Sequence, residues 1–162
     1  MSHDVWVVIE HQDGVAKKIS LELLGCARVL AAAWSGKVVA FVPGAGTAQI
    51  AAALGSRGAD IVMTTEHPLL QRYTTDGYAT VLTEALKGET PAVALFGATS
   101  QGRDLAPRVA ARLGAGIVTD CTSVTVQNGT LVATRPMYTR KAIGTTSMNK
   151  PIVRLSISDE RL

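Results

Sequence analysis

The residues with the greatest capacity for chemistry lie between positions 96 and 113, in the stretch Phe-Gly-Ala-Thr-Ser-Gln-Gly-Arg-Asp-Leu-Ala-Pro-Arg-Val-Ala-Ala-Arg-Leu. Two glycines, two hydroxyl side chains and an arginine fall within residues 97–103. Such a group can hold an anion or a nucleotide phosphate, because free backbone N–H groups and a guanidinium both attract negative charge. The candidate cofactor-binding residues are therefore Gly97, Thr99, Ser100, Gly102, Arg103 and Asp104.

Pro107 indicates where the helix after this stretch begins. Proline has no N–H to donate to the carbonyl of Arg103, so the sequence predicts a helix over residues 105–113 with Asp104 as its N-cap. The residues before it then form a loop. The alternative to a ligand site is structural: the two glycines serve the turn, and Arg103 pairs with a carboxylate such as Asp120 in a loop that faces a partner subunit.

Short β-branched runs alternate with longer Ala- and Leu-rich segments along most of the chain, which is typical of βαβ units on a parallel sheet. Strands are predicted at residues 5–9, 37–42, 60–63, 91–96 and 116–118, and helices at residues 17–34, 47–54, 74–86 and 105–113. Gly36 is the predicted left-handed cap of the first helix. If the strand order is 3-2-1-4-5, the candidate loop leaves the sheet where the direction of connection reverses, and open α/β sheets bind ligands there.

The pattern changes after Cys121. An Asn128-Gly129 pair joins two β-rich runs and is a strong hairpin signal. The β-rich runs of this part lie at residues 122–127, 130–134, 137–138 and 151–155. We therefore expect a single domain over residues 1–162, with an α/β doubly wound, mostly parallel five-stranded sheet and an antiparallel β extension.

A second glycine-containing turn, Val-Pro-Gly-Ala-Gly-Thr at residues 42–47, follows the second predicted strand and opens a helix. It is similar to a dinucleotide-binding fingerprint, but Gln49 stands where the third glycine belongs, so a tight turn is favoured over a phosphate site. Neither a P-loop spacing nor a Gly-x-Ser-x-Gly elbow occurs in the sequence.

The remaining reactive side chains form no catalytic or metal-binding set. His3, His11 and His67 lie in predicted loops or at the amino terminus, without a serine or cysteine elbow for a triad. Cys26 and Cys121 are far apart and outside any CxxC spacing, so we expect both to be buried small hydrophobic residues. We assign no catalytic residue and no metal ligand.

The overall composition narrows the class of protein. Of the 162 residues, 47% are hydrophobic and 18% are charged, which is typical of one folded domain and excludes a disordered chain. A net charge of +3 and an aromatic content of 4% argue against nucleic-acid binding. No apolar run is long enough for membrane insertion and no signal peptide precedes the first strand, so we expect a cytoplasmic protein.

One region has a pronounced charge bias. Residues 121–158 contain no acidic residue and five basic ones: Arg135, Arg140, Lys141, Lys150 and Arg154. These cations lie either on a solvated strand face or on a surface that meets an acidic partner or cofactor phosphates.

In combination, these motifs resemble the amino-terminal domain of the electron transfer flavoprotein alpha subunit. The resemblance rests on Gly-Arg-Asp-Leu-Ala-Pro-Arg-Val-Ala at residues 102–110, on Thr-Asp-Cys at residues 119–121 and on Arg-Pro-Met-Tyr at residues 135–138. The order and spacing of these segments are similar to the family's, and the resemblance covers nearly the whole chain. Arg140 departs from the family pattern, which usually has glycine there.

This resemblance implies a nucleotide-binding alpha hydrolase-like fold and a role as the scaffold and dimerisation domain of the alpha subunit. That subunit pairs with a beta subunit in a flavoprotein that shuttles electrons from dehydrogenases to an acceptor. Its FAD is held chiefly by a carboxyl-terminal domain that this sequence lacks. We therefore expect an electron carrier component and not an enzyme. Two alternatives stay open: a stand-alone nucleotide-binding module that takes AMP, and a small hydrolase on the same fold.

Overall fold

The computed structural model of the protein describes residues 2–137, 142–148 and 152–155. In chain order its elements are β1 (Val5–Val8), β2 (His11–Gln12), β3 (Val15–Ala16), α1 (Lys18–Trp34), β4 (Val38–Gly44), α2 (Ala48–Leu54), β5 (Ile61–Glu66), α3 (Thr75–Glu89), β6 (Val93–Gly97), α4 (Ser100–Leu113), β7 (Ile117–Cys121), β8 (Ser123–Gln127), β9 (Thr130–Met137), β10 (Ala142–Met148) and β11 (Ile152–Leu155). Two short 3-10 helices, Gly55–Arg57 and Pro68–Leu70, lie in the connections.

The main sheet has the strand order β5-β4-β1-β6-β11-β7, and all its strands are parallel. The predicted α/β doubly wound class is confirmed, and the five predicted parallel strands occur in the expected order. The sheet has a sixth strand, because β11 inserts between β6 and β7 and does not join the antiparallel extension. In this position β11 forms backbone hydrogen bonds with β6 on one side and with β7 on the other.

Helices cover both faces of this sheet. Side chains alternate along β1, so Val5 and Val7 pack with α1 and α2, whereas Trp6 and Val8 pack with α3 and α4. Every residue of β1, β4 and β6 is buried. This double coverage explains why these strands have uniformly apolar sequences and do not alternate with polar residues.

A second, antiparallel sheet has the order β10-β9-β8. The predicted hairpin is confirmed, with Asn128 and Gly129 at φ 52° and 76° in its turn. Leu131 and Ala133 are buried in the same core as α1. Trp34 Nε1 also donates to Gly129 O at 3.0 Å, so the end of α1 holds the hairpin turn.

The predicted cap of α1 at Gly36 is wrong. Ser35 takes the left-handed conformation at φ 56°; its N–H donates to Ala32 O and the Gly36 N–H donates to Ala31 O. Glycine is required at position 36 for a steric reason, because a Cβ there would lie 2.0 Å from the carbonyl oxygen of His3. The chain crosses its own amino-terminal segment at this point.

Candidate functional site

The carboxyl ends of β1, β4 and β6 meet at one edge of the parallel sheet. β1 leads to α1 on one face and β6 leads to α4 on the other, so the direction of connection reverses between these neighbouring strands. Open α/β sheets bind ligands at such a point. Glu10 follows β1 here, and Thr99 follows β6.

Glu10 is a buried carboxylate at this edge, with 3% of its surface exposed. Its N–H donates to Ser20 Oγ at 2.8 Å, which fixes its backbone. Glu10 Oε1 accepts from Thr99 Oγ1 at 2.6 Å, and Lys17 Nζ lies 3.8 Å from Oε2. Oε2 itself accepts no hydrogen bond from the described residues. A buried charge needs compensation, which Lys17 and the amino-terminal end of α4 supply.

Thr99, and not Asp104, caps α4. The helix begins at Ser100, and Thr99 Oγ1 accepts from the Gly102 N–H at 3.0 Å. The prediction of a longer loop with Asp104 as N-cap is therefore wrong. Pro107 lies inside the helix and removes one intrahelical bond, but the threonine cap and the packing of the first turn outweigh that loss.

Gly97 and Gly102 let the first turn of α4 lie directly on the end of β6. A Cβ on Gly102 would be 1.8 Å from the carbonyl oxygen of Gly97, far inside van der Waals contact. A Cβ on Gly97 would be 3.0 Å from Ile19 and 3.4 Å from Glu10 Oε1. Close packing therefore requires glycine at position 102, whereas at position 97 a Cβ would fit only if the Ile19 side chain shifted.

Asp104 joins α4 to the segment before α3. Its Oδ2 accepts hydrogen bonds from Tyr73 Oη at 2.6 Å and from Thr75 Oγ1, and Arg108 Nε lies 3.8 Å from its Oδ1. We call these four residues the Asp104 cluster. The hydrogen bonds from Thr75 and Tyr73 lower the pKa of Asp104. Burial and the bond to Asp104 raise the pKa of Tyr73 to about 12.

A cavity of about 510 Å³ opens at the same edge of the sheet. One wall is the β2–β3 hairpin, which is fixed where His11 Nε2 donates to Pro43 O at 2.7 Å. The other wall is residues 71–73, which the Asp104 cluster holds in place. Polar side chains predominate in the lining: Gln12, Asp13, Gln71, Arg72, Tyr73 and Gln101. The volume lies in the range of small-molecule sites.

The turn at residues 42–47 agrees with the expectation of a tight turn. Glu66 Oε1 accepts from the Thr47 N–H at 2.7 Å, so a carboxylate already satisfies a backbone donor that a phosphate would use. A Cβ on Gly44 would lie 2.7 Å from the His11 ring, so glycine here makes room for that side chain.

The sequence that forms these elements matches the model of a known protein family. The model of the electron transfer flavoprotein domain matches residues 5–160. The chain belongs to the electron transfer flavoprotein domain family. The match includes both sheets and the whole carboxyl edge, so the motifs at residues 102–110, 119–121 and 135–138 are parts of a flavoprotein domain.

Curated relatives include alpha subunits. The electron transfer flavoprotein subunit alpha of Thermoanaerobacterium thermosaccharolyticum is 43% identical over 136 residues, 83% of this chain and 41% of the relative. That of Bacillus subtilis is 35% identical over 157 residues, 97% of this chain and 48% of the relative. The FixB protein of Rhizobium meliloti is 39% identical over 140 residues, 83% and 40% of the two chains. The chain spans less than half the length of each of these relatives.

Within the flavoprotein domain, three of the six predicted cofactor-binding residues come together near Glu10 at the start of α4: Gly97, Thr99 and Gly102. The other three do not join them. Two are exposed on α4 and the third belongs to the Asp104 cluster: Ser100, Arg103 and Asp104. That any of the six binds a cofactor stays a prediction.

Sequence reasoning missed Glu10 and Tyr73 as residues of this edge. Glu10 follows a uniformly apolar strand, and an acidic residue in that position is the only local signal it offered. Its bond to Thr99 joins residues 89 positions apart, and only the strand order brings them together. Tyr73 lies in a connection with no periodic pattern.

The described part of the chain, residues 2–137, 142–148 and 152–155, shows no group of three or more His, Cys, Asp or Glu side chains that could hold a metal ion. The ring of each histidine instead bonds the backbone: His3 with Trp34 O, His11 with Pro43 O and His67 with Leu69 N. Over those same residues, no helix is both long and apolar enough to cross a membrane. The cytoplasmic location stays a prediction.

Proposed function

We propose that this chain is the scaffold and dimerisation domain of an electron transfer flavoprotein alpha subunit, and that the complete flavoprotein carries electrons from dehydrogenases to an acceptor. The family match carries the proposal. It extends over residues 5–160, yet the chain spans only 41% to 48% of the alpha subunits of T. thermosaccharolyticum and B. subtilis. A non-catalytic role for this part of the subunit follows from the proposal.

The described residues do not fit the pyrophosphate of FAD. A dinucleotide on an open α/β sheet places its pyrophosphate at a helix amino terminus beside the carboxyl ends of the strands. At this edge the carboxylates of Glu10 and Glu66 lie beside the starts of α4 and α2 and would repel it. The proposal therefore assigns FAD to the remainder of the alpha subunit.

The proposed partner of this chain is the beta subunit, and the charge bias of residues 121–158 supports an electrostatic contribution to that contact. Arg135 lies on β9 and Arg154 on β11. The other three cations lie outside the described residues: Arg140, Lys141 and Lys150.

Reconstitution from separate parts tests the proposal. The isolated chain should be colourless, and it should form a one-to-one complex with the beta subunit from the same organism in size-exclusion chromatography. A yellow preparation with stoichiometric flavin would contradict the scaffold role. A mixture that elutes as two separate proteins would contradict the dimerisation role.

Charge reversal locates the contact. Arg140→Glu with Lys141→Glu should slow association with the beta subunit, and more at low salt than at high salt, because exposed charges act on the association rate and are screened. Lys18→Glu with Lys87→Glu is the matched control, since it makes the same charge change on α1 and α3. Equal association rates for the two double variants would place the contact elsewhere.

The alternative of a stand-alone module that takes AMP is tested on the same protein. For the scaffold role, added AMP or ATP should leave the melting temperature of the chain unchanged. A rise in melting temperature that Arg103→Ala abolishes would favour the module.

A further inference from the structure

The amino-terminal end of α4 has the properties of an anion site. The first N–H groups of a helix have no partners within it and carry partial positive charge, so they attract anions. Thr99 satisfies one of them by accepting from the Gly102 N–H, and its own hydroxyl then donates to Glu10 Oε1. One hydroxyl thus joins the carboxylate to the first turn of α4.

The Glu10 carboxylate is a second, independent sign of an anion position. It is 97% buried, yet Oε2 accepts no hydrogen bond from the described residues. The ammonium of Lys17 is 3.8 Å from Oε2, and the Lys17 side chain is 41% exposed. Burial of a carboxylate with an incomplete set of hydrogen bonds is unfavourable. The positive surroundings of the position, namely the start of α4 and Lys17, therefore account for its stability there.

We propose that the Glu10 carboxylate is the resident anion of a phosphate position formed by the start of α4 and Lys17, and that it closes this domain to phosphate-bearing ligands. The excluded class is inorganic phosphate and phosphate esters. Without a carboxylate at residue 10, the same position would bind inorganic phosphate or a phosphate ester. This inference rests on the described geometry and does not depend on the proposed partner.

Lys17 makes the position suited to phosphate once the carboxylate is gone. Its backbone N–H donates to Glu10 O at 2.8 Å, so the residue stays beside position 10 whatever the side chain there. Without Glu10 Oε2 its ammonium loses that counter-charge, and the start of α4 lies beside the emptied position because Thr99 bonds Glu10 there. A phosphate placed between them takes over the role of the carboxylate, with Ser100 and Gln101 supplying backbone N–H groups.

Titration with inorganic phosphate at low salt tests the proposal on the full 162-residue chain. Glu10→Ala should bind phosphate at least tenfold more tightly than the native chain, a ratio of about 1.4 kcal/mol. Glu10→Gln removes the charge but keeps the volume, so it should bind more weakly than Glu10→Ala. Glu22→Ala is the matched control, because Glu22 pairs with Lys18 on α1 at 3.5 Å and its loss changes the net charge equally.

Two further readouts locate the bound phosphate. In Glu10→Ala the amide NMR signals of Ser100 and Gln101 should shift with added phosphate, and the additional change Lys17→Met should remove the gain in affinity. Phosphate binding by the native chain at these amides would overturn the proposal. So would an unchanged affinity in Glu10→Ala, an equal gain in Glu22→Ala, or amide shifts confined to another region. If circular dichroism shows that Glu10→Ala is unfolded, Glu10→Ser undergoes the same measurements with the same criteria.

Discussion

The carboxyl edge of the parallel sheet and the antiparallel sheet use their charged groups in opposite ways. At the carboxyl edge, three acidic side chains accept from a hydroxyl or N–H of a neighbouring element: Glu10, Glu66 and Asp104. In the chain segment that contains the antiparallel sheet, residues 121–158 carry five cations and no acid. These three carboxylates are hydrogen-bonded within the domain, whereas the cations of the second region can be neutralised only by groups outside that segment.

This difference bears on two functions that an α/β domain can have, namely binding a ligand at the end of its sheet and docking to another protein. A site at the end of an α/β sheet needs free backbone donors, and here side chains of the domain itself already take several of them. A docking surface for an acidic partner needs an excess of positive charge, and the sequence of residues 121–158 carries cations and no acidic residue. The two regions thus meet different physical requirements, the first for internal packing and the second for the partner contact proposed above.

The largest expected effect is on the packing of the carboxyl edge. Gly102→Ala should lower the free energy of unfolding by ~3 kcal/mol, because the new methyl group would overlap the Gly97 carbonyl and force α4 away from β6. Urea denaturation measures the change. Gly25→Ala in α1 is the control, since nothing lies within 4 Å of its Cβ position and alanine should stabilise that helix by about 0.5–1 kcal/mol. Equal stability of the two variants would disprove the close approach.

The next effect concerns the anchor of the antiparallel sheet. Trp34→Phe removes the indole N–H that donates to Gly129 O, and should cost about 1 kcal/mol of unfolding free energy. Hydrogen exchange should become faster for amides of β8 and β9 than for those of β1 and β4. Uniform acceleration in both sheets would mean that the indole does not anchor the hairpin.

A pH-dependent effect tests whether Asp104 is structural. Its pKa is lowered in the folded state, so its contribution to stability is present above the unfolded value of about 3.8 and is lost as pH falls through the lower folded value. Asp104→Asn should therefore be less stable than the native chain at neutral pH and should lose less stability on acidification. Asp76→Asn, whose side chain is 85% exposed, is the control. Parallel acid-denaturation curves for native and Asp104→Asn proteins would rule out the structural role.

The smallest effect is confined to alkaline pH. The Tyr73 pKa is about 12 in the folded state against 10.0 for a free tyrosine, so its contribution is present below about pH 10 and is lost as pH rises through 12. Tyr73→Phe should remove one late-titrating phenol from the absorbance titration. Asp104→Asn should bring that phenol closer to its ordinary pKa. No change in either titration would separate Tyr73 from the Asp104 cluster.

The layered fold was predictable because its signals are local. Strands covered on both faces give apolar runs, as at Val93–Gly97, and the pair Asn128-Gly129 specifies a hairpin whatever surrounds it. The start of α4 was not predictable in this way. Pro107 favours a later start, but Thr99 caps the helix at Ser100 and Gly102 lets its first turn lie on the end of β6. Tertiary packing there overrides a correct local rule.

The candidate site was predictable in part for the same reason. The stretch around Gly97 and Thr99 was identified because its residue types are unusual for a strand end. The expected strand order places the strand before Glu10 beside the strand before Thr99, but these two residues are distant in sequence and no local pattern predicts the hydrogen bond between them. The insertion of β11 into the parallel sheet depends in the same way on partners at Val93–Gly97 and Ile117–Cys121.

The insertion of β11 also determines when the domain can be completed during synthesis. A ribosome releases β7 about thirty residues before β11, so β6 and β7 remain separated by a strand-wide gap while the intervening hairpins form. Until Ile152–Leu155 arrive, both neighbours have unpaired edges, which are prone to join other chains. Contacts between residues that are far apart in sequence, such as those of β11 with β6, also slow folding. A nascent chain of this domain is thus vulnerable to aggregation just before β11 emerges.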